Sequence, residues 1–317
     1  MGARPPLVVI GGPTATGKTD IAVRLALDLI ADGIPAEVIS ADSRQVYRGT
    51  DVATAKPTLD DRRGVPHHGL DLAAPDERFS VADFAGHVES ILPSIGTRGG
   101  VALLVGGTGF WLRAIADGLD LDALPWDPDI RVALEADLAG RGLGVLAARL
   151  QAAAPVLAAN VDLRNPRRVV RALEIATLRG DVPRPAPRGY GAPVLRITLD
   201  VRDRAVHRAV IARRSAAQLD GGILPEAEAL RARYPVDLPA FSAIGYREAW
   251  DLLDGRIDRA GYLAANVARN LAYARRQRTW FRASPADFAL DAGDPGAAEI
   301  ALARVRAFAR PGGGAGG

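Results

Sequence analysis

Short uninterrupted apolar runs alternate along the chain with stretches of helical spacing, the pattern of a parallel sheet buried on both faces. Leu7-Val8-Val9-Ile10 is the first run, and Asp20 to Leu27 follows with helical apolar spacing. Ala36 to Ser40 is the second run. A helix capped by Ser80 and reaching about Ile95 leads into the third, Val101 to Val105. From about Gly118 the texture changes. Leu119 to Trp126 reads as loop, and three helices are predicted after it, over Asp129 to Leu138, Gly144 to Ala154 and Pro166 to Leu178. The last has Asn165 at its N-cap, Pro166 at its first turn and Gly180 beyond its end. No strand signal interrupts them. Val194 to Asp200 reads as a strand returning to the sheet, and helices then start at Asp203 and near Ala243, with a long one over Arg259 to Arg282. The expected fold is α/β: a parallel sheet flanked by helices (1–118 and 181–310), an inserted small all-helical domain (119–180) and a disordered tail (311–317).

Between the first run and the first helix lies Gly12-Pro13-Thr14-Ala15-Thr16-Gly17-Lys18-Thr19, a match to G-x-x-x-x-G-K-[ST] in the strand–loop–helix context that motif needs. Glycines let backbone N–H groups turn inward around phosphate oxygens, and the helix N-terminus adds positive potential. Lys18 supplies a cation, and the Thr19 hydroxyl can ligate a phosphate-bound Mg²⁺. A glycine turn that only connects two elements is the bland alternative, and the full motif in context weighs against it. The sheet is therefore read as P-loop NTPase-like, gripping a di- or triphosphate.

Asp42 follows the second strand and emerges beside that loop, since ligands sit beyond the carboxyl ends of parallel strands. It suits a general base, a magnesium ligand through water, or a helix N-cap. The third strand ends in Gly106-Gly107-Thr108-Gly109, where a P-loop ATPase often carries a magnesium-binding aspartate. That departure argues against routine nucleotide hydrolysis and favours close approach of backbone and hydroxyl to a ligand. His67 and His68 point to opposite sides of an extended segment, which favours structural hydrogen bonding over a shared metal.

Composition narrows the class. Hydrophobic residues make up 48% of the 317 and charged residues 24%, ordinary for a globular protein. With no cysteine, disulfides, thiolate metal sites and cysteine nucleophiles are excluded. No apolar run approaches the length of a membrane span, and the segment before the first strand is too short for a signal, so a cytoplasmic location without membrane contact is expected. Lys18 and Lys56 are the only lysines; the other cations are arginines, which suit bidentate phosphate contacts. Arg167, Arg168 and Arg171 share one helix face, either a phosphate grip or a solvated surface partnered by Glu174. Arg275, Arg276, Arg278 and Arg282 interleave with Trp280 and Phe281, a pattern suited to phosphates and stacked bases.

These stretches together resemble the tRNA dimethylallyltransferases. The matching segments are Gly12 to Thr19, Asp42-Ser43-Arg44-Gln45-Val46-Tyr47-Arg48-Gly49, Thr54-Ala55-Lys56-Pro57, Pro66-His67-His68, Val105 to Gly109, Arg171-Ala172-Leu173-Glu174, Ala243-Ile244-Gly245-Tyr246 and Arg276-Gln277-Arg278-Thr279-Trp280-Phe281. They stand in the family's order as far as about residue 282. The resemblance implies a helical insertion gripping a tRNA anticodon stem-loop, with Gly12 to Thr19 and Mg²⁺ on Thr19 holding the diphosphate of dimethylallyl diphosphate. It implies Asp42 as general base toward the exocyclic amine of adenosine 37, Thr108 lining the reaction channel, and Arg113 reaching the diphosphate. It places tRNA contacts at Asp42, Ser43, Arg44, Gln45, Thr108, Arg131, Arg167, Arg168, Val169, Val170, Arg171 and Arg276, in a monomer. Departures are Arg167-Arg168 where Gln-Arg is usual, Asn270-Leu271 for Thr-Arg, Gln218 for Met and Val210 for Arg. An adenylate prenyltransferase needs no stem-loop grip, a small-metabolite P-loop kinase would need a distinct adenine site, and an RNA-binding protein with a vestigial loop would not need its intact lysine.

Overall fold

The computed structural model describes residues 4–121, 125–183 and 185–310; the expected tail at 311–317 lies outside the described residues. The first part of the chain forms β1 (Leu7–Gly11), α1 (Lys18–Ala31), β2 (Ala36–Ser40), α2 (Leu59–Arg62), β3 (His67–His68), α3 (Val81–Thr97), β4 (Val101–Gly106) and α4 (Gly109–Ala116). Three helices follow, α5 (Pro128–Ala153), α6 (Pro155–Ala158) and α7 (Pro166–Arg179). The last part forms β5 (Val194–Asp200), α8 (Arg204–Asp220), α9 (Ile223–Arg231), α10 (Tyr246–Leu253), α11 (Arg259–Arg282), β6 (Phe288–Asp291) and α12 (Ala297–Ala309).

The strands make one parallel sheet in the order β3-β2-β4-β1-β5-β6. Every residue of β1, β2 and β4 is buried, which is why each reads as a continuous apolar run. Alternate residues serve opposite faces. Val8, Ile10, Val38, Leu103 and Val105 pack with Leu25 and Leu29 of α1 and Ala301 of α12, while Leu7, Val9, Ile39 and Leu104 pack with Phe84, Trp111 and Phe281. Because all strands run the same way, β1, β2 and β4 deliver the chain to one edge at Gly12, Ala41 and Gly107, side by side. Among the described residues no helix is long and apolar enough to cross a membrane.

Chain contacts separate two compact units, Met1–Ala116 with Tyr190–Gly317, and Asp117–Gly189. The helical unit extends past Gly180, where the helix signal stops. Arg188 and Gly189 donate their backbone N–H groups to Gly118 and Asp117, and Asp181 accepts from the N–H groups of Val156 and Leu157, so the segment is tied back to its own unit. The expected break between the first two helices falls at Gly142, whose φ of 80° is open to glycine and strained for other residues.

This unit has its own apolar core, Leu134, Leu146, Leu150, Leu157, Val169, Val170 and Leu173. Glu174 lies fully buried beside it and accepts hydrogen bonds from Arg131 Nη2 (2.7 Å), Arg171 Nη1 (2.6 Å) and the Asp127 backbone N–H (3.2 Å). The basic face expected of α7 is thereby divided. Arg167 and Arg168 are exposed, whereas Arg131 and Arg171 turn inward onto the carboxylate that would otherwise be a costly buried charge. Val169 and Val170, assigned to tRNA contact from the resemblance, put their side chains into the core instead.

Candidate active site

The loop after β1 is shaped by two glycines with different tasks. Gly12 has φ 152° and lies against the Leu199 carbonyl, so a Cβ there would collide with backbone. Gly17, at φ 71°, is the left-handed residue from which α1 starts, placing Lys18 and Thr19 in the helix's first turn. Around them is a cavity of about 360 Å³, within the size range of small-ligand sites. Thr14 to Thr19 form one wall, and Asp42, Gly107, Arg214, Tyr273 and Gln277 come from other elements.

The cavity is electrostatically tense. Lys18 donates to the Pro13 carbonyl (2.5 Å), and its pKa is pushed down to about 7, first by burial and then by the charge of Arg214, with Asp42 opposing. Burial also lowers the pKa of Arg214, which donates to Thr14 Oγ1 (3.3 Å). Tyr273 is pushed up to about 12 by burial and by the Asp42 carboxylate. Lys18 and Arg214 share the cavity with three carboxylates, Asp42, Asp20 and Asp61, and burial together with Asp61 raises the pKa of Asp20, so the two cations beside the loop are what a polyphosphate would meet there.

Asp42 sits in a turn, where its Oδ1 accepts the backbone N–H of Arg44 (2.8 Å), so it is not the N-cap of a helix. The next residue, Ser43, donates its N–H to Thr108 Oγ1 (3.2 Å), tying the Asp42 turn to the end of β4. Arg44 donates to the Pro239 carbonyl (2.7 Å). Gln45 is buried and saturated: its Oε1 accepts from Ser40 Oγ, and its Nε2 donates to the carbonyls of Thr54 and Ala55. It therefore supports the wall formed by Thr54 and Ala55. Arg276 is exposed, its guanidinium 5.6 Å from the centre of the Tyr273 ring.

Several expectations change. Arg113 does not line this cavity; Trp111, Leu112, Ala114, Ile115 and Ala116 fill the buried side of α4, which leaves Arg113 on the exposed side. The Gly-Gly-Thr-Gly segment is small chiefly to admit protein. A Cβ on Gly106 would meet the Ala41 carbonyl, on Gly107 the Gln277 amide and on Gly109 the Trp280 ring. Gln218 does not face the cavity but donates to the carbonyls of Val52 (2.7 Å) and Ala53 (3.1 Å). The same loop is held by Glu226, which accepts from the N–H groups of Asp51, Val52 and Ala53. Lys56 is buried on Asp51, Asp71 and the Tyr47 carbonyl. His68 bonds Glu37 (2.6 Å) and His67 bonds the Val65 carbonyl (2.8 Å); His67 also lines the cavity, where its Nε2 is buried without a hydrogen-bond partner.

Reasoning from the sequence missed Arg214, Tyr273 and Gln277 as site residues. The available signal was helical spacing: Val210 and Arg214, like Tyr273 and Gln277, are four apart and line the cavity together. Arg214 supplies a guanidinium one turn from Val210, where the resemblance leads one to expect arginine.

Among the described residues no cluster of three or more His, Cys, Asp or Glu side chains is placed to hold a metal. Thr19 does line the cavity, so a magnesium ion here would take its ligands from that hydroxyl, phosphate oxygens and water, which is the usual way magnesium is held.

Residues 45–284 match the family model described as IPP transferase. The chain is 41% identical over 296 residues to a tRNA dimethylallyltransferase of Thiobacillus denitrificans, covering 90% of this chain and 92% of the relative. It is also 41% identical over 279 residues to the enzyme of that name from Thermus thermophilus, covering 88% and 90%. Among solved structures, the full-length tRNA isopentenylpyrophosphate transferase of Bacillus halodurans superposes with a TM-score of 0.70 at 36% identity, covering 96% of this chain and 97% of that one. A eukaryotic dimethylallyltransferase solved acting on tRNA shares the fold, with a TM-score of 0.76 at 21% identity. With a single family model spanning most of the chain and relatives matched nearly end to end, this protein belongs to the IPP transferase family, the tRNA dimethylallyltransferases.

Proposed function

We propose that this chain transfers a dimethylallyl group from dimethylallyl diphosphate to the exocyclic amine of adenosine 37 in the anticodon loop of tRNA. The observation that carries the reading is one cavity holding a carboxylate, Asp42, together with a phosphate-type loop and two half-buried cations, Lys18 and Arg214. The donor's C–O bond breaks and its electron pair leaves on the diphosphate. The adenine nitrogen bonds to the allylic carbon, and Asp42 takes the proton that nitrogen sheds. An aryl amine is a weak nucleophile until that proton can leave, so a positioned carboxylate matters. Lys18, Arg214 and the backbone N–H groups of residues 15–19 stabilise charge where it develops on the leaving group. A magnesium ion on Thr19 and the diphosphate would neutralise further charge there.

The adenine has to leave the loop stack to reach Asp42, a modest cost in a single-stranded loop. Ser43, Thr108 and Arg276 are assigned to the target nucleotide's surroundings, and the exposed Arg167 and Arg168 to RNA phosphates. Replacing both with alanine is expected to weaken tRNA binding and to lower the slope of log affinity against log salt by roughly 1.5, as two lost phosphate contacts require. An unchanged slope in filter-binding titrations would make that face merely solvated.

The reaction itself is tested by incubating the protein with dimethylallyl diphosphate labelled in the prenyl group and, in separate tubes, unmodified tRNA, AMP and ATP. Label is expected in tRNA alone. Label in AMP or ATP would replace this reading with prenylation of a free nucleotide.

A further inference from the structure

Thr14, in the middle of the phosphate loop, is gripped at three polar groups by two helices. Its N–H donates to Gln277 Oε1 (2.8 Å), its hydroxyl accepts from Arg214 (3.3 Å), and its carbonyl faces His207 Nε2 at 2.9 Å. The first two partners line the cavity. His207 does not; it is fully buried behind the loop.

The state of His207 is fixed by its neighbours. Its Nδ1 meets Arg278 Nη2, and a guanidinium has donors only, so Nδ1 must accept. The ring proton therefore sits on Nε2, and Nε2–H donates to the Thr14 carbonyl. Burial lowers the pKa of the ring, the Thr14 carbonyl and Asp200 oppose this, and the Arg278 and Arg204 charges add to it; the net lowering agrees with a neutral imidazole. Arg278 is itself buried, and its Nε donates to both oxygens of Asp200 (2.8 and 3.1 Å), the last residue of β5. β5 pairs directly with β1, the strand that launches the loop.

We propose that His207 is a positioning residue for the phosphate loop: the Asp200–Arg278 pair sets it as an Nε2–H donor, and it draws the Thr14 carbonyl outward. A carbonyl oxygen turned into an anion site repels phosphate, whereas one held away leaves the loop's amides to face the ligand. His207 thus acts through Thr14 on affinity for the donor's diphosphate. This inference rests on the reading that the loop holds that diphosphate.

The test uses the full chain with His207→Leu, which keeps the volume and removes both hydrogen bonds, and His207→Gln, whose amide can accept from Arg278 and donate to Thr14 at once. Inorganic diphosphate binding is measured by calorimetry, and steady-state kinetics are run with both substrates. H207L is expected to weaken diphosphate binding and raise the donor KM about tenfold, with kcat and the tRNA KM within twofold of wild type. H207Q is expected to return most of the loss. A general packing role would instead lower kcat and both affinities together, and that result overturns the inference. So does diphosphate binding that is present in the wild type and unmoved in H207L. Wild-type protein that fails to bind diphosphate overturns the loop reading itself, and this inference with it. Should H207L not fold, nitrogen-15 shifts of the wild-type imidazole decide: an Nε2–H tautomer at neutral pH is expected, and an Nδ1–H tautomer refutes the arrangement.

Discussion

Asp42→Asn is expected to lower prenyl transfer by about 10³-fold, within the range a positioned base supplies, while tRNA affinity stays within a few-fold. Asparagine is the sharper choice over alanine. The Asp42 Oδ1 accepts the Arg44 N–H at 2.8 Å, and an asparagine oxygen can keep that bond and the turn it closes. What disappears is the basicity and the negative charge. Asp42→Ala removes the turn anchor as well and is expected to be at least as inactive, with some loss of stability. The two variants separate the carboxylate's chemistry from its part in shaping the loop. Single-turnover assays with saturating donor and tRNA are the measurement. If Asp42→Asn keeps more than a tenth of wild-type turnover, the base lies elsewhere.

Lys18→Ala is expected to weaken donor binding about 100-fold at pH 6, the loss of a charge-assisted contact to phosphate. The size of the effect depends on pH, and its sign follows from the lowered pKa of about 7. Below that value Lys18 carries its proton before the donor arrives. Above it the amine is mostly neutral, and a diphosphate beside it draws the pKa back up, so binding takes up a proton. Donor affinity of the wild type therefore falls as pH rises from 7 toward 9, by up to tenfold per unit. In Lys18→Ala that dependence is gone, and the gap between variant and wild type narrows as pH rises. Calorimetric titrations in buffers of different ionisation enthalpy read the proton uptake directly. Equal proton uptake in the two proteins would assign the titrating group elsewhere.

What the chain discloses on its face is the part of the site made of consecutive residues. Residues 12–19 could be read because the loop, its lysine and its threonine must follow a strand and open a helix, and the sheet's three central strands could be read because burial on both faces demands unbroken apolar runs. The rest of the cavity comes from single residues on long helices. Arg214, Tyr273 and Gln277 are embedded in segments dense with exposed arginine, and only their i, i+4 spacing, Arg214 with Val210 and Tyr273 with Gln277, hints at the turn that faces inward. Val169 and Val170 come from the resemblance as part of the segment Arg167 to Arg171, and their side chains share the buried face of α7 with Leu173 and Ile175. Arg113 is the one cation of an otherwise apolar helix and lies on its exposed side, outside the cavity. β6 and α12 escaped notice because Phe288-Ala289-Leu290-Asp291 is too short to signal a strand among prolines and glycines.

The placement of β1 between β4 and β5 sets the order in which the protein can assemble on the ribosome. Residues of β4 emerge soon after β1 and can pair with it at once. Its other neighbour is synthesised only after the whole of Asp117–Gly189, a segment that closes upon itself through nearby contacts. A nascent chain made only as far as Gly189 thus has four of the six strands, with the unpaired backbone N–H and C=O groups of Leu7–Gly11 open on one side and ready to recruit a stray strand. Synthesis speed through the helical segment then governs how long that edge stays exposed to aggregation.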